Sequence, residues 1–500
     1  MIDLALQLDR SDPRPLHRQL ADYVRSLVGS GRLAAGEKLP ASRDLAAALA
    51  ISRNTVAQAY QCLVDEGVLF AHVGQGTFVA SVEQGDPGRA ADRAGGIRPF
   101  AWEGLFSSAA RRPLPDSLLA EVGGSPRFDF RPGRVASEHL PLAALRRAFA
   151  KALRADPRSL SSIDGALGVP VLRERIARLL VARGIDCAAD DVLVTHGAQQ
   201  GLDLVCRALI DPGDAVAVEQ PGYMGAWIGF RAAGARLIPI PVDREGMRTD
   251  VLARELRTRR IKLVYATPAA QLPTGAVLSD ARRRTLLDLA DSTQTPILED
   301  DYDSEFRFGD PAPPALKTLD RAGQVVYVGT FSKAVMPGLR LGYVVAARPL
   351  LEKLAAGRFS ATLGADVVTQ CAIAELLSSG ALERHVRGLR KRAKERRSAL
   401  LDALAEWMPD DVTWTTPSGG LAVWLTLPER IDTAGFHAGA RAAGLGYGRG
   451  EPCYFDGRGA DQLMLSFATQ DARRLRAGVK ALAREIDRAR EPSVKRRKAS

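Results

Sequence analysis

The sequence predicts a multidomain chain: a small, mainly α N-terminal unit, then a large α/β body that ends in a small α+β subdomain. Three observations predict it. Between residues 15 and 80, apolar residues recur first at helical spacing and then in two short β-like runs. From residue 128 to 344, apolar strand-like runs alternate with amphipathic helices, which implies a mostly parallel sheet covered on both faces. Beyond residue 344 the pattern turns mainly helical, with strand signals only at 414–427 and 462–467. The expected domains are residues 1–80, a linker at 81–126, the body at 127–490 and a basic tail at 491–500.

In the first unit, Leu16, Leu20, Val24 and Leu27 mark the apolar face of a helix that Gly29 and Gly31 end. Ser42 is placed to cap a short helix through Leu49, and Ser52 to cap a second running to about Glu66. Two short helices across a tight turn make a helix-turn-helix. The second begins Ser52-Arg-Asn-Thr55, small polar and basic side chains at the end from which base edges are reached. Residues 68–79 read as two strands around Gly74-Gln-Gly76, a wing. A three-helix domain that touches no nucleic acid fits the same pattern, and the near-neutral charge of residues 1–80 favours it.

Residues 81–126 are rich in Gly, Ala, Arg and Pro and lose all apolar periodicity, as a linker does. Phe100, Trp102 and Phe106 suggest that its second half docks on a surface.

The body carries three strand ends with chemistry. Residues 192–205, Val-Leu-Val-Thr-His-Gly-Ala-Gln-Gln and onward, read as strand, Gly-containing turn and helix, whose free N–H groups suit a phosphate. Residues 295–306 run from an apolar strand into an acidic cluster around Tyr302. Residues 324–328 form a β-branched strand, followed by Gly329-Thr-Phe-Ser-Lys333 and, seven residues on, Arg340. A primary amine and a guanidinium just past strand ends suit an aldehyde cofactor with a phosphate tail: Lys333 would form a Schiff base and Arg340 clamp the phosphate. A pyridine ring also needs a carboxylate at its nitrogen and a phenol at its 3'-oxygen, and Asp300 and Tyr302 offer both. A surface lysine and arginine in a loop would account for Lys333 and Arg340 alone, but not for carboxylate, lysine and arginine in this order. The cofactor expected is pyridoxal 5'-phosphate.

Five hundred residues, 46% hydrophobic and 25% charged, suit a soluble globular protein of two or three domains. No apolar run approaches the length of a membrane span, and the first residues are acidic where a secretory signal would be basic, so a cytoplasmic protein is expected. Cys62, Cys187, Cys206, Cys371 and Cys453 are scattered without disulfide or metal-ligand spacing. The net charge is +11, and residues 471–500 supply a surplus of seven from eleven basic and four acidic side chains. The tail Lys495-Arg-Arg-Lys498 reads as a solvated end that could add non-specific attraction to DNA.

Residues 127–490 resemble the fold-type I, aspartate-aminotransferase-like family of pyridoxal-phosphate proteins. That resemblance makes Lys333 the internal-aldimine lysine, Asp300 the pyridine-nitrogen partner and Tyr302 the 3'-oxygen donor. It implies that Arg340 and Thr330 hold the phosphate with Ala198 and Gln199, and that Tyr223 stacks on the ring. The run from Leu39-Pro-Ala-Ser-Arg-Asp through Ser52-Arg-Asn-Thr-Val to Glu66-Gly67 resembles the winged helix-turn-helix of GntR-type repressors. This implies DNA contacts by Arg43, Arg53, Asn54 and Thr55, with His72, Gln75 and Gly76 on the wing and Arg53 foremost. The two halves together resemble the MocR/GabR-type regulators. They imply a homodimer that reads paired half-sites of a double-stranded operator and senses a small molecule, pyridoxal phosphate or an amine.

Three departures bear on chemistry. Met464 stands where the family places an arginine that grips an amino-acid carboxylate, Ile163 where it places a tyrosine reaching a neighbour's phosphate, and Leu272 where enzymes carry asparagine, with Ala270 nearby where many of the regulators carry histidine. Methionine makes no charge-assisted bond to a carboxylate. The expectation is a regulator with weak or absent transaminase activity; the alternative is a working aminotransferase with an accessory DNA-binding arm.

Overall fold

The computed structural model describes residues 14–29, 33–34, 36–66, 68–72, 76–80, 102, 105–107, 109–110, 125–154, 160–161, 165–303, 305–308 and 313–490. Its chain divides into two units, residues 1–105 and 106–500.

In the first unit, helices α1 (Leu16–Gly29), α2 (Ser42–Ala48) and α3 (Arg53–Asp65) enclose Leu20, Val24, Leu45, Val56, Ala59 and Leu63, all buried. The Tyr60 hydroxyl donates to the Pro40 carbonyl at 3.0 Å and ties α3 to the segment before α2. Ser52 caps α3 as its sequence suggests, its Oγ accepting from the Thr55 N–H at 3.1 Å. Ser42 does not cap: it is the first helical residue, and the methyl of the preceding Ala41 can accept no hydrogen bond from the helix. The wing is an antiparallel pair, β1 (Leu69–His72) and β2 (Gly76–Val79), in register Leu69 to Val79. Gly76 has φ +118°, and a Cβ there would meet the Lys38 side chain at 2.8 Å, so glycine suits both the backbone and the lysine packed beside it.

The second unit has two sheets. Strand β3 (Phe128–Phe130) precedes the large sheet, formed by β4 (Val192–Thr195), β5 (Ala215–Gln220), β6 (Arg236–Asp243), β7 (Gly246–Met247), β8 (Leu263–Ala266), β9 (Ile297–Asp301), β10 (Val325–Thr330) and β11 (Gly342–Val345). Their spatial order is β4-β11-β10-β9-β8-β5-β6-β7. The central run from β10 to β6 is parallel, while β11 opposes both β10 and β4, and β7 turns back on β6. The sheet is therefore mixed at its margins. Side chains alternate between faces: Val192, Val194, Tyr327 and Tyr343 pack with helices Pro170–Val181 and Val367–Ser378, and Leu193, Val326, Val328 and Val344 with helices Gly197–Leu209 and Arg348–Thr362. Two covered faces explain why these strands read as continuous apolar runs.

The smaller sheet has the order β12-β13-β15-β14-β3, with β12 (Thr413–Trp414), β13 (Ala422–Thr426), β14 (Leu445–Arg449) and β15 (Gln462–Ser466). Helices Ala381–Trp407, Thr433–Ala442 and Ala472–Arg490 pack against it around Leu400, Val423, Leu425, Phe436, Leu463 and Leu482. Trp102 and Phe106, expected to dock, are 62% and 46% exposed; Phe100 lies outside the described residues. No described helix is long and apolar enough to cross a membrane.

Candidate functional site

Parallel strands end together, so residues far apart in sequence meet at one sheet edge. Asp300 sits near the end of β9, Thr330 ends β10 with Lys333 in the turn beyond, Arg340 precedes β11, and Ala198 and Gln199 open the helix after β4. These six, with Tyr302 and Tyr223, line one cavity of ≈ 650 Å³, so the structure brings together every cofactor residue expected from the sequence.

Asp300 is buried, and its Oδ2 accepts from the Tyr265 hydroxyl at 2.8 Å while its Oδ1 has no hydrogen-bond partner. Burial pushes its carboxyl up to about 7, against the stabilising Tyr265 bond. An orphaned buried carboxylate oxygen is costly unless something donates to it, and a pyridine N–H is such a donor. Burial also lowers the Lys333 amine below its ordinary value, and the charge of Asp303 partly restores it. A depressed lysine is neutral more often at pH 7 and is the better nucleophile. Asp303, buried on the same cavity wall, is raised to about 7 by burial with the Lys333 charge opposing.

At the phosphate end, Arg340 holds a left-handed backbone, φ +49°, after the turn Pro337–Leu339. Its Nη2 lies 2.9 Å from where a Gly197 Cβ would stand, and Gly197 itself has φ +71°, so only glycine lets the guanidinium reach the helix start. Thr330 Oγ1 donates to Ser332 Oγ at 3.0 Å and accepts from the Ser332 N–H at 3.1 Å. Gln199 links Tyr223, whose hydroxyl donates to it at 3.2 Å, to the Gly225 carbonyl at 2.8 Å. Burial raises the Tyr223 phenol to about 12, keeping it neutral. The Tyr302 hydroxyl donates to the Ala270 carbonyl at 2.9 Å, so its proton is already committed to the backbone. The residues fit pyridoxal 5'-phosphate: an unpaired carboxylate oxygen, a buried amine and a guanidinium at a helix start in one cavity.

Met464 and Leu272 line the same cavity, as do Arg131, Arg134 and Arg449. Met464 is buried against Trp424 and Cys453. Ile163 lies outside the described residues. Sequence reasoning missed Tyr265, Asp303 and the arginines. Asp303 had a signal, its place in the acidic run beside Tyr302; the others come together only through tertiary folding.

In the first unit, Arg43, Arg53 and Asn54 are exposed around the start of α2 and α3, and Thr55 Oγ1 is 2.8 Å from the capping Ser52 Oγ. Gly76 opens β2; the His72 side chain and Gln75 lie outside the described residues. Lys38, beside Gly76 and 5.8 Å from the Phe78 ring centre, adds a cation at the wing that the sequence did not single out.

A winged helix-turn-helix and a pyridoxal-phosphate site on an aminotransferase fold define a cofactor-dependent transcription regulator, and comparison with known proteins agrees. Residues 16–79 match the family described as bacterial regulatory proteins, gntR family, and residues 134–475 match aminotransferase class I and II. The chain is 31% identical over 482 residues to the "Probable rhizopine catabolism regulatory protein MocR" of Rhizobium meliloti, covering 95% of each chain. It is 30% identical over 485 residues to the "Uncharacterized HTH-type transcriptional regulator YisV" of Bacillus subtilis, covering 95% of this chain and 97% of that one. Among solved structures, LysN, the α-aminoadipate aminotransferase of Thermus thermophilus complexed with N-(5'-phosphopyridoxyl)-L-leucine, matches with TM-score 0.73 and 31% identity over 78% of this chain and 99% of that one. The chain belongs to the MocR-type regulators, GntR-type DNA-binding proteins with an aminotransferase-like, pyridoxal-phosphate-binding body.

Proposed function

We propose that this regulator works in the cytoplasm as a homodimer, holds pyridoxal phosphate at Lys333, and changes its operator affinity in response to pyridoxal phosphate itself or to an amine without an α-carboxylate. The observation that carries this reading is the composition of one cavity: the cofactor-holding groups Asp300, Lys333 and Arg340 are all present, while Met464 offers no grip on a carboxylate and the other arginines on its wall, Arg131, Arg134 and Arg449, are already paired with Asp129 or Glu451. Lys333 would hold the cofactor through its neutral amine. Asp300 holds the ring nitrogen, Tyr223 covers the ring, and Arg340 with Thr330 and the N–H groups of Ala198 and Gln199 hold the phosphate. When bound, the cofactor supplies a carbonyl that captures amines reversibly and an electron-accepting ring. Arg43, Arg53, Asn54 and Thr55 contact the operator, with His72, Gln75 and Gly76 on the wing.

Such a protein regulates only as far as the ligand binds two arrangements of the readers unequally. Titration of the cofactor-loaded protein with α-amino acids, ω-amino acids and simple amines, followed by visible absorbance, tests the assignment. A response to amines but not to α-amino acids supports it; a response to α-amino acids at low millimolar concentration or below overturns it. The second reading, an aminotransferase with a DNA-binding arm, requires multiple-turnover keto acid formation. Retention of the whole cofactor set favours keeping that test.

A further inference from the structure

A second, smaller cavity shares only Lys333 and Leu421 with the cofactor site. Its volume is ≈ 30 Å³, room for one water or one halide ion. Five basic side chains line it, His139, Lys333, His385, Arg392 and Arg396, and no acidic one does among the described residues. His385, Arg392 and Arg396 stand at i, i+7 and i+11 on helix Ala381–Trp407, which puts them on one face, and His139 ends the turn Ser137–His139 opposite. Aliphatic and aromatic side chains close the rest.

The basic groups are not balanced by buried acids. Arg396 donates to the Ala468 carbonyl and lies 3.1 Å from His139 Nε2, its nearest carboxylate being Glu138 at 3.7 Å, which is 58% exposed. Glu395 and Asp471 also act on Arg396, and Asp303 on Lys333 from the cofactor side. Arg392 Nε is buried with no hydrogen-bond partner. Burial first holds both histidines below their ordinary value, joined by Arg392 and Arg396 at His139 and by Arg392 and His139 at His385. Neutral imidazoles still donate one N–H each. Basic side chains around a small, partly open space, one of them with a buried N–H lacking a partner and no carboxylate among the described lining residues, describe a place for a small anion.

We propose that this cavity binds a monovalent anion of the halide class, held by Arg392, Arg396 and the histidines behind Lys333. The bound anion favours the ammonium form of Lys333 and so slows its capture of an aldehyde. This goes beyond the regulatory reading and stands without it, since it concerns the resting charge of one lysine.

Two measurements on the full-length apo-protein test it. Crystals grown in bromide should show an anomalous peak against Arg392 Nε. Chloride replacing gluconate at constant ionic strength should slow covalent capture of pyridoxal phosphate saturably, by roughly threefold or more. Both effects should vanish in Arg392→Gln, with His385→Gln as the second variant should the first fail to fold. No peak in the cavity, or a chloride effect that is non-saturable or survives in the folded variant, overturns the proposal.

Discussion

Replacing Met464 by arginine should add a carboxylate grip at a position that has none, beside the Arg131, Arg134 and Arg449 that already line the cavity. Met464 lies on β15 between Trp424 of β13 and Gly448 of β14, and Gly448 has no side chain to block it: a Cβ there would meet the Met464 Cβ at 3.1 Å. One side of Met464 is packed against Trp424 and Cys453 and the other opens to the ≈ 650 Å³ cavity. Enlarging a packed residue costs about 1–3 kcal/mol of stability, and the open side keeps Met464→Arg toward the lower end. A bidentate guanidinium–carboxylate bond contributes about 1.5–3 kcal/mol, or about 10- to 150-fold in affinity. The assay compares an α-amino acid with the amine of the same side chain, by visible absorbance of the cofactor-loaded protein. The amino acid should gain about that factor over the amine in Met464→Arg. A folded, cofactor-loaded variant whose ratio is unchanged would refute the assignment of Met464.

Three further outcomes follow from the same geometry. Asp300→Asn keeps an acceptor for Tyr265 but removes the charge, so pyridoxal phosphate affinity should fall about 10- to 150-fold, read by absorbance titration. Because burial lowers Lys333 and Asp303 partly restores it, the pH profile for aldehyde capture by the apo-protein should rise to a plateau below the ordinary lysine value. In Asp303→Asn, where that opposing charge is gone, the midpoint should move to still lower pH; a shift upward would contradict the electrostatic picture. Arg53→Ala should weaken operator binding by about 1–3 kcal/mol if it reads a base edge and relax preference at that base pair, whereas a uniform loss with a salt slope reduced by about 0.9 would make it a phosphate contact.

Much of the cofactor site was legible because each of its charged groups lies in or beside a strand end. An apolar run with Asp300, Lys333 or Arg340 at its end carries both the element and the placement, and a parallel sheet does the rest. What the sequence hid depends on distant partners. Tyr265 reads as one more aromatic in a buried strand until β8 and β9 are set side by side. Strand β3 has three residues, and only its pairing with β14, more than three hundred residues away, shows that the start of the body completes the small sheet. Ser42 misled because serine is as acceptable at the first helical position as before it, and the choice was made by the backbone of Ala41. Trp102 and Phe106 looked like anchors by composition alone, yet both are exposed. The cationic cavity behind Lys333 depends on a helical spacing of seven and four that fits a solvated or interface face equally well.

The central claim is that the state of one lysine governs DNA binding. Titrating the full-length apo-protein with pyridoxal phosphate, with and without DNA from its own upstream region, measures this directly when wild type and Lys333→Ala are compared. The account predicts that operator affinity shifts as the wild type takes up the cofactor, or on later addition of an amine, and that Lys333→Ala shows neither change. Operator affinity that stays constant through saturation with cofactor and amines, or that shifts equally in Lys333→Ala, would contradict it.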